Sequence, residues 1–544
     1  MDDCASIMDY RGGGSEREAV SLIDTEQRMT MLQNKYLHYL CLAAVVVTAC
    51  SKNGPEVDPK PQVAPTFSEW PAYEGIDYDF LQDYTMPEIP TKNMTGVVTG
   101  EAWRYDDGWF TFVQGKRANP LVKEKEASAK RMLQQLNEDF RYLREEMGWL
   151  PDRNAMEGYR SAVYLYGSGL STDSEPNNAT GGWQGSVYWK SKEYPMLLLS
   201  YYPVYCFDPA CKYNDKDYHT YNVTHEGIHC ILSSRPGGKK ISWFHEGCDV
   251  WLQRALNIRR GTVKQADIEF GWLASGTVLA PFIPIECYGG WKSDGTWGPP
   301  DWMMQTSGDN RNILGGVQYS EVFPSFMELS VGDGAIKWIW EHCQGYLLDA
   351  LSGQMGADQV RRMILEFRSR VALCDLGIYS NAVKKLYNGY FNQKVESEGS
   401  LKCDPWNMTP YVVTTEGEDG WLIPEKRTLP GWTGANIIPI RAIGSEVTVE
   451  FDPGEEADMV CQLCWRTEDG KPVYADPFQE GSCTVSLRDG LPANGVIFAV
   501  VCNRTYKFTS ALLKKHFSYR LRLGEGTGGT ASVKTKWFNY DQKL

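Results

Sequence analysis

Thr224-His225-Glu226-Gly227-Ile228-His229 is the stretch from which the rest of this chain can be interpreted. In a helix, residues i and i+4 lie on one face, so His225 and His229 can both reach a single metal ion. Glu226, next to the first histidine, can hold a water molecule on that metal. The H-E-x-x-H spacing therefore predicts a helical metal site, and such a site needs a third ligand.

A second stretch, Trp243-Phe244-His245-Glu246-Gly247-Cys248-Asp249-Val250-Trp251-Leu252-Gln253, follows a loop whose Arg-Pro-Gly-Gly can end one helix and turn the chain toward the next. Together the two stretches resemble the gluzincin metallopeptidases, in which H-E-x-x-H is followed on the next helix by W-[LF]-x-E-G. The aminopeptidase branch is especially similar. The resemblance implies that His225, His229 and Glu246 bind Zn2+ and that Glu226 is the catalytic base.

Further residues acquire roles from the same resemblance. Gluzincins stabilise the developing oxyanion with a downstream Tyr or His, and Tyr319, at a predicted helix start, is the candidate. Asp249 could accept a hydrogen bond from the second nitrogen of a ligand histidine, or it could cap or pair at the surface. His245 points about 100° away from Glu246 on a helix, so it either supports the ligands from outside or is solvated.

The strand predicted over Met196–Tyr205 precedes the metal helix, where zincins place an edge strand that pairs with extended substrate. A buried core strand fits the same pattern equally well. The G-x-M-E-N segment with which aminopeptidases hold a substrate amine is absent, because Gly182-Trp183-Gln184-Gly185 lacks the acid. An endopeptidase is therefore expected in preference to an aminopeptidase.

The amino-terminal segment has the parts of an export signal. From Met31 a short polar start leads into an apolar run and then into Val47-Thr48-Ala49-Cys50. That ending resembles a lipobox, which implies a lipid anchor at Cys50. Residues 1–30 are then a mis-called start, residues 31–50 a lipoprotein signal peptide and the Pro-rich residues 51–70 a tether. Ser51 is not the aspartate that retains lipoproteins at the inner membrane, which favours the outer membrane.

The hydrophobic pattern divides the remaining chain into two parts. Residues 71–400 begin with short alternating runs and continue with helical periodicity, which predicts an α+β zincin-like catalytic domain that is helical in its carboxyl-terminal half. Residues 403–544 carry short alternating runs between turn residues, which predicts an all-β sandwich domain. The flanks of the metal motif also resemble a family of Bacteroidetes lipoproteins in which a zincin motif precedes a β-sandwich.

Two smaller patterns lead to predictions that a structure can check. The segment Gly524–Gly529 matches a dinucleotide-binding glycine pattern, but a strand pattern follows where a helix is needed, so we expect a hairpin turn. The pairs Cys206/Cys211 and Cys461/Cys464 could each be bridged, or their members could be core thiols.

Composition limits the partners. A formal net charge of -14 with no basic stripe argues against binding to nucleic acid. The expected partners are a protein or glycoprotein substrate, hydrolysed outside the cytoplasm by metal-activated water, and a membrane held through the lipid anchor. Two alternatives stay open. One is a catalytically silent zincin-fold lipoprotein that binds glycan or peptide through some of its 19 Trp and 30 Tyr residues; the other is metal-assisted hydrolysis of a non-peptide bond.

Overall fold

The structure is a computed structural model that describes residues 89–90, 92, 102–115, 125–170, 181–212, 216–237, 242–264, 267–270, 274, 277–278, 281–286, 321–391, 414–424, 428–454, 458–512 and 515–530. All of these belong to the unit Pro65–Leu544. The predicted signal peptide, the lipidation residue Cys50, the tether and Tyr319 lie outside the described residues. In the described part of the chain, no helix combines the length and the apolar character needed to cross a membrane.

The first part of the described chain is a mixed sheet with helices packed against it. Its strands are β1 Ala102–Asp107, β2 Phe110–Gly115, β3 Ser161–Leu165, β4 Gly182–Trp189 and β5 Lys192–Leu199. The helices are α1 Lys125–Glu145, α2 Arg153–Met156, α3 Tyr201–Tyr205, α4 Lys216–Ser233, α5 Ser242–Arg259, α6 Val322–Ser330, α7 Asp333–His342, α8 Leu347–Met355, α9 Ala357–Ala372 and α10 Ser380–Phe391. Helices α7 and α8 are separate elements because Cys343, directly after α7, adopts an extended backbone.

The sheet has the strand order β1-β2-β3-β5-β4. Strands β2, β3 and β5 run parallel to one another, and β4 runs antiparallel to β5 at the edge. Helix α1 packs on β1 and β2, while α4 packs on β4 and β5. Inward side chains from sheet and helices, such as Phe112, Leu197, Leu136 and Ile228, form one apolar core. Burial of that apolar surface is the main force that holds α4 against the sheet.

The strand predicted over Met196–Tyr205 is only partly correct. It ends at Leu199, and Tyr201–Tyr205 forms the short helix α3. The amide nitrogen and the Oγ of Ser200 both donate to the carbonyl oxygen of Gly181, at 3.0 and 2.5 Å, so the chain turns there. Of the two alternatives for this strand, the buried core strand is the one observed, and β4 is the edge strand instead. An unbroken apolar run does not by itself distinguish a strand from a buried helix.

The second part of the described chain consists of two antiparallel five-stranded sheets. The strands are β6 Thr414–Glu416, β7 Trp421–Pro424, β8 Ala435–Ala442, β9 Glu446–Asp452, β10 Met459–Arg466, β11 Pro472–Tyr474, β12 Gly481–Ser486, β13 Val496–Asn503, β14 Arg520–Leu523 and β15 Thr527–Thr530. One sheet has the order β11-β10-β13-β8-β15 and the other β12-β9-β14-β7-β6. Alternate side chains of both sheets, such as Val449 and Leu463, share an apolar core. The described chain is therefore mixed α and β, compatible with an α+β part followed by a β-sandwich.

The hairpin predicted at Gly524–Gly529 is wrong. Strand β14 pairs with β7 and β9 in one sheet, whereas β15 pairs with β8 in the other, so this loop carries the chain between the sheets. Gly526 has a φ of +76°, and a Cβ there would lie 1.8 Å from the carbonyl oxygen of Glu446. Only glycine fits this crossing.

No disulfide bond joins any of the described cysteines. Cys461 lies in the core between the two sheets, while Cys464 on the same strand lies in the core that the sandwich shares with the helices. Residues three apart on a strand point to opposite faces, so these two cysteines cannot bridge. Cys206 and Cys211 are different, because their sulfur atoms are in contact at 3.7 Å.

Two buried arginines join the helices to the sandwich. From α9, Arg368 donates to the carbonyl oxygens of Thr433 and Ile283, at 3.0 and 2.7 Å. From β10, Arg466 donates in the other direction to the carbonyls of Leu373 and Cys374, at 2.6 and 2.9 Å. The two side chains belong to residues that are only 2% and 0% exposed, so the helices and the sandwich share an interior.

Candidate metal centre

The helices α4 and α5 carry the residues of the two sequence motifs, and both are attached to α1 through one buried carboxylate. The Oγ1 of Thr224, immediately before the first motif histidine, donates to Oδ2 of Asp139 at 2.7 Å. Arg260, just beyond the end of α5, forms an ion pair with the other oxygen of Asp139. Asp139 therefore connects the residue before the first motif, on α4, to the end of α5, the helix that carries the second motif. Sequence reasoning missed it, because nothing in the periodicity of α1 sets this residue apart.

Within the first motif, Gly227 allows α4 to lie close to α1. A Cβ at this position would lie 2.8 Å from Cε2 of Phe140 and 3.4 Å from Cδ2 of Leu136. Both side chains are fully buried and have little room to move. The glycine between Glu226 and His229 is thus explained by packing.

Three donor groups, two imidazoles and one carboxylate, converge between the two helices. The Nε2 atoms of His225 and His229 lie 3.1 Å apart. Oε2 of Glu246 lies 3.4 Å from Nε2 of His225, and its Oε1 lies 3.5 Å from Nε2 of His229. Ligands held about 2.1 Å from a tetrahedral zinc are spaced by about 3.4 Å. The spacing of the donors therefore fits one metal ion.

The other side of the imidazoles faces Asp249. Nδ1 of His225 lies 2.8 Å from Oδ1 of this carboxylate, and Nδ1 of His229 lies 3.0 Å from its Oδ2. His225, His229 and Asp249 form a group that could hold a metal ion, since each offers a ligand atom within 4.8 Å of the others. Asp249 is fully buried, so of the two alternatives for it, surface pairing is excluded and contact with the two motif histidines is observed.

Glu226 is buried beside this group. Burial raises the pKa of its carboxyl from the ordinary 4.5 to about 7, while the neighbouring His225 and His229 act to lower it. The side chain lies under the start of the edge strand β4, because a Cβ on Gly182 would be 3.3 Å from Cγ of Glu226. A carboxyl with a pKa near neutrality can both accept and return a proton.

His245 also contacts the cluster. Its Nε2 lies 3.3 Å from Nδ1 of His229, and its ring centroid lies 5.4 Å from that of Trp340. Burial, together with the neighbouring His229, lowers the pKa of His245 to about 4. The imidazole is therefore neutral at physiological pH. Of the two alternatives given for His245, contact with a motif histidine is observed and a solvated side chain is not.

The structure thus brings together His225, Glu226, His229, Glu246 and Asp249 from two helices, and Tyr319 lies outside the described residues. No protein-family model, curated protein or solved structure matches this chain. The chemistry assigned to the site therefore depends on its own geometry.

Proposed function

We propose that this chain is a zinc-dependent peptidase of the gluzincin type, which hydrolyses extracytoplasmic protein or glycoprotein with metal-activated water. The observation that carries the proposal is the convergence of two imidazole Nε2 atoms and one carboxylate, spaced by 3.1 to 3.5 Å, beside a buried glutamate. Two imidazoles and one carboxylate are the donor set of many catalytic zinc sites. A purely structural site has no need of a base such as Glu226.

Glu246, rather than Asp249, is the third ligand in this proposal. Its side chain is 36% exposed, whereas that of Asp249 is 0% exposed and faces the Nδ1 atoms. A catalytic metal must keep one position open to water and substrate, which favours the exposed side. Asp249 then orients both histidines by accepting from their Nδ1 atoms and makes their Nε2 atoms better ligands.

Bound zinc would supply Lewis-acid polarisation of a carbonyl group and of the attacking water. The carboxylate of Glu226, buried beside the two histidines, would take a proton from that water and return it to the leaving amine. Asp249 and His245 hold the imidazoles in place during these transfers. Tyr319 remains the proposed donor to the oxyanion, from the resemblance alone.

Edge strand β4 is the proposed docking strand for an extended substrate, because it begins against Glu226 and its outer edge has no partner strand among the described residues. Its sequence, Gly-Trp-Gln-Gly-Ser-Val-Tyr-Trp, contains no acidic residue. A strand without a carboxylate cannot pair with a substrate α-amine, which supports an endopeptidase. The leader, with its lipid anchor at Cys50, supports a substrate outside the cytoplasm and a place at the outer membrane.

The test is to measure zinc content and cleavage of an unstructured protein by the wild type, Glu226→Gln, Glu246→Gln and His229→Ala, with His342→Ala as a control outside the site. We expect about one zinc per chain in the wild type, in Glu226→Gln and in the control, with hydrolysis lost in Glu226→Gln. His229→Ala and Glu246→Gln should lose both. Zinc without hydrolysis in the wild type would overturn the peptidase, and absence of zinc after reconstitution would overturn the metal centre.

A further inference from the structure

A pair of cysteines lies between the sheet and the metal helix. Cys206 is fully buried and follows the last residue of α3, and Cys211, five residues later, is partly exposed. Their sulfur atoms are 3.7 Å apart. A disulfide places its sulfurs about 2 Å apart, so an approach of roughly 1.7 Å closes the bond.

The turn between the two cysteines is fixed by its own hydrogen bonds. The amide of Cys211 donates to the carbonyl of Asp208 at 2.9 Å, and the amide of Ala210 donates to the Asp208 carboxylate at 2.8 Å. From α1, Nε of Arg131 donates to the carbonyl of Phe207 at 2.6 Å. The backbone therefore holds the two thiols together without a covalent bond, which gives each a high effective concentration at the other.

We propose that Cys206 and Cys211 form a disulfide by exchange with a small disulfide such as oxidised glutathione. The more exposed Cys211 attacks first: its thiolate forms a bond to one glutathione sulfur, and the other glutathione leaves as a thiol. The sulfur of Cys206 then attacks Cys211 and releases the second glutathione. Each cysteine loses one proton, and two electrons pass to the glutathione disulfide.

The bond would constrain the segment that leads into α4. Helix α3 already contacts α4 through stacked rings, with the centroids of Tyr202 and His219 5.8 Å apart. A covalent loop reduces the freedom of the unfolded chain, so oxidation should raise the Tm by roughly 2 to 4 °C. This site is independent of the proposed function, because neither sulfur belongs to the metal centre.

The test is mass spectrometry of the purified protein after incubation with oxidised glutathione, alkylation in denaturant and trypsin digestion. The tryptic peptide of residues 193–212 contains both cysteines and no other, so one fragment reports the bond. We expect this peptide to carry no alkyl group and to be lighter by about 2 Da, the mass of two hydrogens. Two alkyl groups, or stable glutathione adducts, would overturn the proposal.

Two controls separate the paired thiols from ordinary ones. Cys483 is partly exposed and is the one cysteine of the tryptic peptide of residues 467–488, which should take an alkyl group or glutathione but form no internal bond. In the Cys211→Ser variant, Cys206 should be alkylated under all conditions. A rise in Tm on oxidation that persists in the Cys206→Ser/Cys211→Ser double variant would contradict the stabilising role.

Discussion

The carboxylate of Asp249 lies 2.8 Å from Nδ1 of His225, although the two residues belong to different helices. Its second oxygen lies 3.0 Å from Nδ1 of His229, so one carboxylate contacts both motif histidines. Burial alone would raise the pKa of Asp249, but the two histidines outweigh it and hold that pKa below its ordinary value. Asp249 is therefore charged, and it fixes the orientation of both rings.

Replacement of this carboxylate should weaken metal binding. In Asp249→Asn the side chain keeps its shape but loses the charge that orients the imidazoles, and we expect zinc affinity to fall about 10- to 100-fold in chelator competition. Asp152→Asn is the matched control: Asp152 is also buried, but its carboxylate accepts hydrogen bonds from the amide of Ala155 in α2 and from the hydroxyl of Ser161 in β3. That variant should lose stability and keep its zinc affinity. Equal zinc affinity in Asp249→Asn and wild type would contradict the role of Asp249.

The burial of Glu226 predicts a pH-dependent stability difference in the metal-free protein. Its folded pKa of about 7 lies above the ordinary 4.5, so the wild type is stabilised by the neutral carboxyl below pH 4.5 and loses that stabilisation as pH rises through 7. Gln does not titrate. With chelator present, the free energy of unfolding of Glu226→Gln should rise relative to that of the wild type as pH increases from 4.5 to 7. The difference should reach roughly 3 kcal/mol above pH 7. Urea unfolding at pH 5 and pH 8 checks this, and a constant difference would show that the carboxyl is not desolvated.

The packing of Gly182 predicts sensitivity at the start of β4. A Cβ there would lie 2.8 Å from Cδ2 of Leu199 and 3.3 Å from Cγ of Glu226, whereas one on Gly181 would meet only Asn222, at 3.9 Å. Gly182→Ala should displace the proposed base and lower kcat/KM roughly tenfold or more. Gly181→Ala should leave the activity unchanged. Equal effects of the two substitutions would argue against contact between the strand and Glu226.

Gly227 and Gly353 form a second matched pair, because both are helical glycines. Gly227→Ala meets the buried Phe140 ring at 2.8 Å, and we expect it to lower the free energy of unfolding by about 1 to 2 kcal/mol after the gain in helix propensity. A Cβ on Gly353 would meet nothing within 4 Å, so Gly353→Ala should stabilise the fold by up to about 1 kcal/mol. Thermal unfolding of both variants measures the contrast, and the same sign for both would contradict it.

Local spacing was sufficient to predict much of this protein. The i and i+4 positions of His225 and His229 place them on one face of a helix, and a turn after that helix lets Glu246 return to them. Long-range pairing could not be predicted in the same way. The edge position of β4 and the crossing at Gly526 depend on which strands pair, and periodicity contains no information about that. Asp139 was missed for the same reason, because Thr224 and Arg260, the partners that connect it to α4 and α5, are 85 and 121 residues away.

The buried arginines Arg368 and Arg466 have a consequence for how the molecule comes apart. Each guanidinium donates to main-chain carbonyl oxygens, several of them from across the junction between helices and sandwich. Separation of the two parts would take these carbonyl ligands away from two buried charges, which is costly. Helices and sandwich should therefore melt in a single cooperative transition, and neither should survive proteolytic excision as a folded fragment.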